Sequence, residues 1–245
     1  MDIDSINTHA TMEDSYWWFI GRRKVISYLA GQYLTGNKRK ILDWGCGAGG
    51  NFKTLSQFGE VLGVDSSSEA IALCKKRLIT NVLELQTIDQ LQTDVKFDLL
   101  ANFDVLEHIE DDERFLRDAH KVLKSGGFIL VTVPAYMFLW SQLDEVLGHV
   151  RRYSRGELVR KFEKCGFTII RASYFITILS PIFILVRLLQ KMIPRKNTLD
   201  DMIIKLPKPV NQIFVWLVAI EAQFVRWINL PFGTSIIVLA RRSNY

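Results

Sequence analysis

The chain has 245 residues with 49% hydrophobic residues and a formal net charge of +5 at pH 7, which suits one large α/β domain or one domain with an inserted subdomain. Its three cysteines are isolated in the sequence, which argues against a zinc site or a disulfide framework and fits a reduced cytosolic protein. The first fifteen residues are polar and acidic and lack the apolar stretch of a signal peptide, so we expect a cytoplasmic protein. The modest basic charge and the lack of a basic-aromatic strip exclude nucleic acid as a partner.

The first two thirds of the chain alternate between short strands and helices. After a polar leader, a helix is predicted over Arg22–Tyr33, closed by Gly36 and Asn37. Strands are then predicted over Arg39–Trp44, Glu60–Val64, Val82–Gln86, Phe97–Asn102, Phe128–Val133 and Phe167–Tyr174. The intervening helices are Asn51–Phe58, Ser68–Leu78, Asp111–Leu123 and Ser154–Cys165, and Ser125–Gly127 forms a turn. This order predicts an α/β fold with a mostly parallel sheet and helices on both faces.

Residues 175–230 interrupt this alternation with an apolar stretch. Two helices, Phe175–Ile193 and Val210–Ile228, are separated by a linker over Pro194–Pro207, and a final strand covers Thr234–Ala240. Pro181, Arg187 and Lys191 argue against a membrane span. The surplus apolar surface favours an exposed role rather than simple packing on the domain. That role is contact with a membrane surface, a homodimer interface or a lid that lines a hydrophobic substrate pocket. We therefore divide the chain into a lid and helix (1–40), a cofactor-binding core (41–174), an apolar helical insertion (175–230) and the last strand of the core (231–245).

The first strand runs into a glycine turn at a helix start, in the sequence ILDWGCGAGG from residue 41 to residue 50. Gly45, Gly47 and Gly50 satisfy a dinucleotide fingerprint, and Asp65 ends the second strand where a carboxylate accepts ribose hydroxyls. Asp43, near the end of the first strand, discriminates between a dinucleotide and S-adenosylmethionine. A carboxylate at this position disfavours the pyrophosphate of a dinucleotide and favours the sulfonium and ammonium groups of S-adenosylmethionine. An NAD-dependent oxidoreductase is the alternative.

The segments ILDWGCGAGG, VLGVD, NFDVLEHI and VLKSGGFILVTVP resemble, in order and spacing, the motifs of class I S-adenosylmethionine-dependent methyltransferases. The flanking segments SYWWFIGRR, GHVRRYS and LPFGTSIIVLARR resemble a bacterial small-molecule subgroup, similar to type 11 methyltransferases, that carries an apolar C-terminal insertion. The resemblance implies a Rossmann-like, seven-stranded sheet whose last strand is antiparallel and lies between its two predecessors. It also implies cofactor contacts at Gly45, Cys46, Gly47, Asp65, Ser66, Thr87, Ile88 and Asn102.

Two histidines are candidates for removing a proton from the acceptor during methyl transfer. His108 follows the fourth strand, and His149 lies in the loop after the fifth strand, which borders the acceptor pocket in this fold. Asp104, Glu107 and His108 stand at i, i+3 and i+4, a spacing that resembles the metal-binding residues of ubiquinone-biosynthesis O-methyltransferases. We prefer a structural role for this set and predict no metal site.

Substrate and cofactor contacts are expected from two further clusters. Arg151 and Arg152 precede Tyr153, and adjacent arginines can bind a phosphate or a carboxylate, so Arg152 and Tyr153 are predicted to bind substrate. The alternative is a solvated loop. Near the start of the chain, Trp17 and Arg22 suit a lid over the methionine end of the cofactor. Packing of this helix on the sheet is the alternative.

Together these patterns predict S-adenosylmethionine-dependent methyl transfer to a small or lipid-linked acceptor, at oxygen, on the cytoplasmic face of the membrane. A catalytically silent cofactor-binding scaffold that works through its insertion is the third interpretation. Neither the acceptor nor the oligomeric state follows from the sequence.

Overall fold

A computed structural model describes residues 8, 10–35, 38–91, 93–190 and 206–243. Its sheet has seven strands, and their apolar runs are typical of strands that are covered on both faces. The strands are β1 (Arg39–Trp44), β2 (Gly59–Asp65), β3 (Val82–Glu84), β4 (Phe97–Phe103), β5 (Leu123–Pro134), β6 (Phe167–Phe175) and β7 (Ser235–Arg242).

The strand order across the sheet is β3-β2-β1-β4-β5-β7-β6. Strands β1 to β5 pair in parallel, whereas β7 is antiparallel to both β5 and β6. The predicted Rossmann-like fold is confirmed, including the position of the last strand between its two predecessors. The order reverses between β1 and β4, which is where open α/β sheets form a ligand crevice at the carboxyl ends of the strands.

Helices cover both faces of the sheet. They are α1 (Trp17–Tyr33), α2 (Phe52–Leu55), α3 (Ser68–Lys76), α4 (Asp112–Val122), α5 (Gln142–Leu147), α6 (Arg155–Lys164), α7 (Ser180–Gln190) and α8 (Lys208–Val225). Neighbouring strand residues face opposite layers: Leu99 belongs to the core under α1 and α8, and Leu100 to the core under α4 and α6. This alternation gives the protein two hydrophobic cores, one on each side of the sheet.

Helix α8 packs against α1, so the apolar insertion joins the N-terminal helix on one face of the sheet. The contact is close: a Cβ atom on Gly21 would lie 2.7 Å from Cγ1 of Val218. Asn211 accepts a hydrogen bond from the backbone N–H of Trp17 at 2.8 Å, and the Trp17 ring stacks on Phe183 of α7 with 4.9 Å between centroids. Part of the insertion therefore belongs to the core.

Several predicted boundaries were wrong. The helix predicted over Asn51–Phe58 is the single turn α2, and the predicted turn Ser125–Gly127 lies within β5. The first helix of the insertion begins at Ser180 instead of Phe175, because Ile176 has a left-handed backbone (φ 58°) and the Glu221 carboxylate accepts hydrogen bonds from the next two backbone N–H groups. Gly36, Asn37 and most of the linker Pro194–Pro207 lie outside the described residues. Within the described part of the chain, no helix is long and apolar enough to cross a membrane.

Candidate active site

A cleft of about 1330 Å³ opens at the carboxyl ends of the parallel strands. One part of its lining, which we call the cofactor end, follows β1, β2 and β3 and consists of Gly45, Cys46, Gly47, Ala48, Asp65, Ser66, Leu85 and Gln86. The other part, the acceptor end, follows β5 and consists of Leu139, Leu143, Asp144, Leu147, His149 and Arg152. The strand order separates the two ends, with β4 between them.

The glycine turn after β1 brings backbone atoms directly to the cleft. Gly45 has φ +78°, and a Cβ there would lie 2.3 Å from Cγ2 of Val105, so no other residue fits without movement. Gly47 also has a left-handed backbone, with φ +55°. These two positions allow a ligand to lie against bare backbone, as the predicted cofactor contacts require.

Asp65 ends β2 and holds the glycine turn in place. Its Oδ2 accepts the backbone N–H of Gly47 at 2.8 Å and its Oδ1 accepts that of Ser67 at 3.0 Å. A carboxylate has about four lone-pair sites, so two remain for ribose hydroxyls. Both Asp65 and Ser66 line the cleft, where the sequence placed them.

The contacts predicted after the third strand are displaced. Thr87 caps a short turn, and Ile88 is buried in the core at 5% exposure, so neither lines the cleft. The lining residues here are Leu85 and Gln86, and Gln86 donates from its amide to the Ser66 carbonyl at 2.9 Å. Strand β3 ends at Glu84, two residues before the predicted end, which shifts the ligand-facing turn by the same amount.

Asp43 and Asn102 are buried beneath the cleft rather than exposed to it. Asn102 donates to the Trp44 carbonyl at 3.2 Å, which fixes the end of β1, and Phe103 and Asp104 line the cleft in its place. Both Asp43 oxygens are buried without a hydrogen-bond partner among the described residues. Burial raises the pKa of Asp43 to about 7, although the Arg22 charge opposes this shift.

Trp17 and Arg22, which were predicted to form a lid over the methionine end of the cofactor, both line the cleft. The Arg22 guanidinium pairs with the Asp104 carboxylate and lies 4.8 Å from the centroid of the Trp18 ring. The segment before α1 adds Glu13, which is buried at 9% exposure and pairs with Arg77 at 2.9 Å. Two charged pairs, Arg22–Asp104 and Glu13–Arg77, therefore hold this N-terminal segment against the core.

His149 lies at the acceptor end with its ring oriented by a carboxylate. Its Nδ1 is 2.8 Å from Oδ1 of Asp144, and its Nε2 is 3.9 Å from Oε1 of Glu107. Burial alone would raise the pKa of Asp144, but hydrogen bonds from His149 and Arg152 hold that pKa below its ordinary value. An ionised Asp144 places the proton on Nδ1 and leaves the Nε2 lone pair free, which is the arrangement that a general base needs.

His108 lies beside His149, with 4.7 Å between ring centroids, and its Nδ1 is 3.1 Å from the Gly148 carbonyl. Burial, followed by the neighbouring His149, lowers the pKa of His108 to about 4. The alternative magnesium set is not brought together, because Arg22 and Thr132 hold the Asp104 carboxylate. Glu107, His108 and His149 instead present ligand atoms within 4.8 Å of one another.

Arg152, which was predicted to bind substrate, and its neighbour Arg151 are already paired with acids. Arg151 donates to Asp112 at 3.0 Å, and Arg152 donates to both oxygens of Asp144, at 2.7 and 3.1 Å. Arg152 lines the cleft, but its charge is neutralised. Tyr153 is fully buried outside the cleft lining, and its hydroxyl donates to Asp112 at 2.8 Å. The prediction that Tyr153 binds substrate was therefore wrong, because the residue anchors the loop to the core.

Sequence reasoning missed Glu13, Asp144 and Arg187 as cleft residues. The spacing of Asp144 five residues before His149 was a usable signal, since a short helix brings such a pair together. No local pattern pointed to Arg187, which reaches the cleft from α7, far along the chain.

The family model described as a methyltransferase domain matches residues 22–172. The chain is 27% identical over 161 residues to a probable S-adenosylmethionine-dependent methyltransferase of Mycolicibacterium smegmatis, covering 64% of this chain and 61% of that protein. It is 29% identical over 109 residues to a ubiquinone biosynthesis O-methyltransferase of Pelagibacter ubique, covering 40% of this chain and 45% of the relative. The chain thus spans between about half and three fifths of these relatives.

Solved structures share the fold at low sequence identity. A methyltransferase from Archaeoglobus fulgidus superposes with a TM-score of 0.57 at 17% identity, covering 90% of this chain and 94% of its own. The N-methyltransferase NodS of Bradyrhizobium japonicum, solved with S-adenosyl-L-homocysteine, gives 0.57 at 13% identity, covering 98% and 97%. The family match decides against the NAD-dependent alternative and confirms S-adenosylmethionine as the cofactor. The chain belongs to the methyltransferase domain family of class I S-adenosylmethionine-dependent methyltransferases.

Proposed function

We propose that this protein transfers a methyl group from S-adenosylmethionine to an oxygen of a small or lipid-linked acceptor. The observation that carries the proposal is the Asp144–His149 pair at the acceptor end of the cleft. The cofactor supplies an activated methyl group on its sulfonium. The protein's part is to hold the two reactants in line and to take a proton from the acceptor.

The orientation of His149 favours oxygen as the methylated atom. A hydroxyl must lose its proton as the new bond forms, so a positioned base accelerates this reaction. The base is itself oriented by Asp144, whose second oxygen is held by Arg152. The similarity to ubiquinone biosynthesis O-methyltransferases, over 40% of the chain, supports the same assignment.

Calorimetry with S-adenosylhomocysteine and NADH tests the cofactor half of this proposal. We expect the sulfur nucleoside to bind and NADH not to bind. Incorporation of labelled methyl groups into hydroxylated aromatic acids and a bacterial lipid extract tests the catalytic half. Binding without transfer to any of these acceptors would favour the silent scaffold.

The lipid-linked acceptor is supported by the outer surfaces of α7 and α8. On α8 and the turn that follows it, Ile213, Trp216, Phe224 and Trp227 stand at helical spacing, and each of these side chains is at least half exposed. Helix α7 exposes Ile182, Leu185, Leu188 and Leu189. We call these eight residues the apolar stripe. Exposed apolar area is unfavourable by ~25 cal/mol per Å², so a stripe of this size needs a partner.

The charge of the insertion supports a membrane surface as that partner. Residues 175–230 contain seven Lys or Arg and three Asp or Glu, so most of the net charge of the chain lies in the insertion. Each basic residue near an anionic bilayer contributes up to about 1 kcal/mol. Four of these basic residues, Lys191, Arg195, Lys196 and Lys205, lie outside the described residues, whereas Lys208 is exposed at the start of α8.

Flotation with vesicles that contain or lack anionic lipid tests this assignment. The wild-type protein is expected to float with anionic vesicles, and a Trp216→Ser, Trp227→Ser variant to remain in the lower fraction. Val150→Ser, an exposed apolar residue outside the insertion, is the matched control. A protein that floats in neither case and elutes as a dimer would assign the apolar stripe to a homodimer interface instead.

A further inference from the structure

Arg187 is a cation in the otherwise apolar helix α7, and its side chain belongs to the cleft. Phe183, Val186 and Arg187 stand at i, i+3 and i+4, and all three line the cleft. The apolar stripe of α7 occupies the other side of the helix. The insertion thus provides part of the wall of the candidate active site.

The Arg187 guanidinium has no ion-pair partner among the described residues. It donates one hydrogen bond, 2.6 Å long, to the Ser141 hydroxyl, which is neutral. Asp144, the acid whose charge favours the cationic form of Arg187, is bound by Arg152 at both of its oxygens. Burial and the charge of Arg152 lower the pKa of Arg187 to about 10, so the group is still protonated at neutral pH.

A half-buried cation without an ion-pair partner is unfavourable for stability, because part of its hydration is lost without a matching Coulombic gain. The other cleft arginines have carboxylate partners: Arg22 pairs with Asp104, and Arg152 pairs with Asp144. A guanidinium with free N–H groups in a cleft lined partly by apolar side chains is suited to two-point binding of a carboxylate or a phosphate.

Arg187 is connected to the proposed base through one short chain of contacts. The Ser141 hydroxyl that accepts from Arg187 donates to Oδ2 of Asp144 at 3.2 Å, and Oδ1 of Asp144 holds His149 at 2.8 Å. An anion on Arg187 and a hydroxyl at His149 therefore fit one small molecule. Leu139, Leu143 and Phe183 provide apolar surface in the same cleft.

We infer that Arg187 forms an anion subsite, and that the acceptor carries a carboxylate or phosphate group near the hydroxyl that is methylated. This inference rests on the proposed function and narrows its substrate class to anionic acceptors. It also reassigns anion binding from Arg152, whose charge is neutralised, to a residue of the apolar insertion.

Anion binding to the full-length protein, saturated with S-adenosylhomocysteine, tests the subsite. Benzoate serves as a carboxylate on an apolar body and inorganic phosphate as the other source, each titrated by calorimetry. Wild-type protein is expected to bind at least one of them in the millimolar range, and the preferred anion distinguishes the two acceptor classes. Arg187→Gln should weaken that binding at least tenfold, whereas Arg187→Lys should weaken it about threefold because the charge remains. Lys208→Gln removes a cation of the insertion that does not line the cleft, and it should leave anion binding unchanged.

Thermal unfolding separates a ligand-binding role from a structural one. Because no described carboxylate forms an ion pair with Arg187, the substitution Arg187→Met leaves no acid unpaired and is expected to keep or raise the Tm. Unchanged anion binding in Arg187→Gln, or wild-type protein that binds neither anion while holding S-adenosylhomocysteine, would overturn the subsite. A protein that fails to bind S-adenosylhomocysteine would instead count against the proposed function.

Discussion

The two ends of the cleft are built in different ways. At the cofactor end, the turns after adjacent parallel strands supply backbone N–H groups and one carboxylate, and few side chains pair with one another. At the acceptor end, the polar side chains form a connected network in which Asp144 binds His149 and Arg152 at once. The first end depends on backbone shape and the second on paired charges. Substitutions at the two ends are therefore expected to differ in their effects on stability, turnover and cofactor binding.

The largest expected effect is on stability at the acceptor end. Arg152→Met removes the partner of a buried carboxylate, since Asp144 is fully buried, and should lower the free energy of unfolding by about 3–5 kcal/mol. Urea denaturation measures this change. Lys121→Met, which breaks the exposed pair with Asp118, is the control and should lower it by less than about 1 kcal/mol. Equal losses in the two variants would show that the acceptor end is not a buried network.

Asp43 should make stability at the cofactor end depend on pH. Its pKa is raised from 3.8 to about 7 in the folded chain. The folded chain therefore binds the proton more tightly, and stability falls as the pH rises from about 4 to 7 and then levels off. Asp43→Asn removes this decline, so its advantage over wild type should reach about 4 kcal/mol above pH 7.

The measurement is the urea midpoint of wild type and Asp43→Asn between pH 4 and pH 8. Glu84→Gln, at the exposed end of β3, is the matched control and should follow the wild-type profile. Parallel profiles for wild type and Asp43→Asn would mean that Asp43 is charged in the folded chain over this whole range.

His149→Ala should reduce catalysis without affecting the cofactor end. Loss of a positioned base lowers turnover by about 10²-fold or more. The rate is measured with the best acceptor from the labelling experiment, and S-adenosylhomocysteine affinity should be unchanged because His149 belongs to the other end of the cleft. If His108→Ala shows this profile instead, the roles of the two histidines are exchanged.

Asp65→Ala should give the smallest of these effects, on cofactor binding. Loss of the carboxylate leaves the ribose hydroxyls and the Gly47 N–H without a hydrogen-bond acceptor. This change weakens S-adenosylhomocysteine binding by about 1–3 kcal/mol. Calorimetry checks this change. Glu60→Gln, an exposed acid at the other end of β2, is the control and should bind as wild type does. Affinity equal to that of wild type would place the ribose away from Asp65.

The amino-acid sequence by itself determined the fold class, the family and the position of the glycine turn and of Asp65 at the cleft. These depend on local patterns: the alternation of strands and helices, the glycine turn from Gly45 to Gly47, and an acid at the end of the next strand. Parallel strands bring such neighbouring turns to one edge of the sheet, so spacing along the chain is enough to place them. Even the error at Thr87 and Ile88 amounted to two residues at a strand end, where boundaries are least certain.

Only the tertiary structure decided which polar side chains at the acceptor end are free. Arg152 has an arginine neighbour in the sequence and Arg187 has none, but neither pattern shows which guanidinium is neutralised in the folded chain. The fold gives Arg152 two bonds to Asp144 and gives Arg187 one bond to a serine, because β6 and β7 bracket an insertion whose first helix turns back over the loop after β5. Pairing between side chains that are distant in the chain depends on tertiary packing, and the spacing of residues along the sequence does not reveal it.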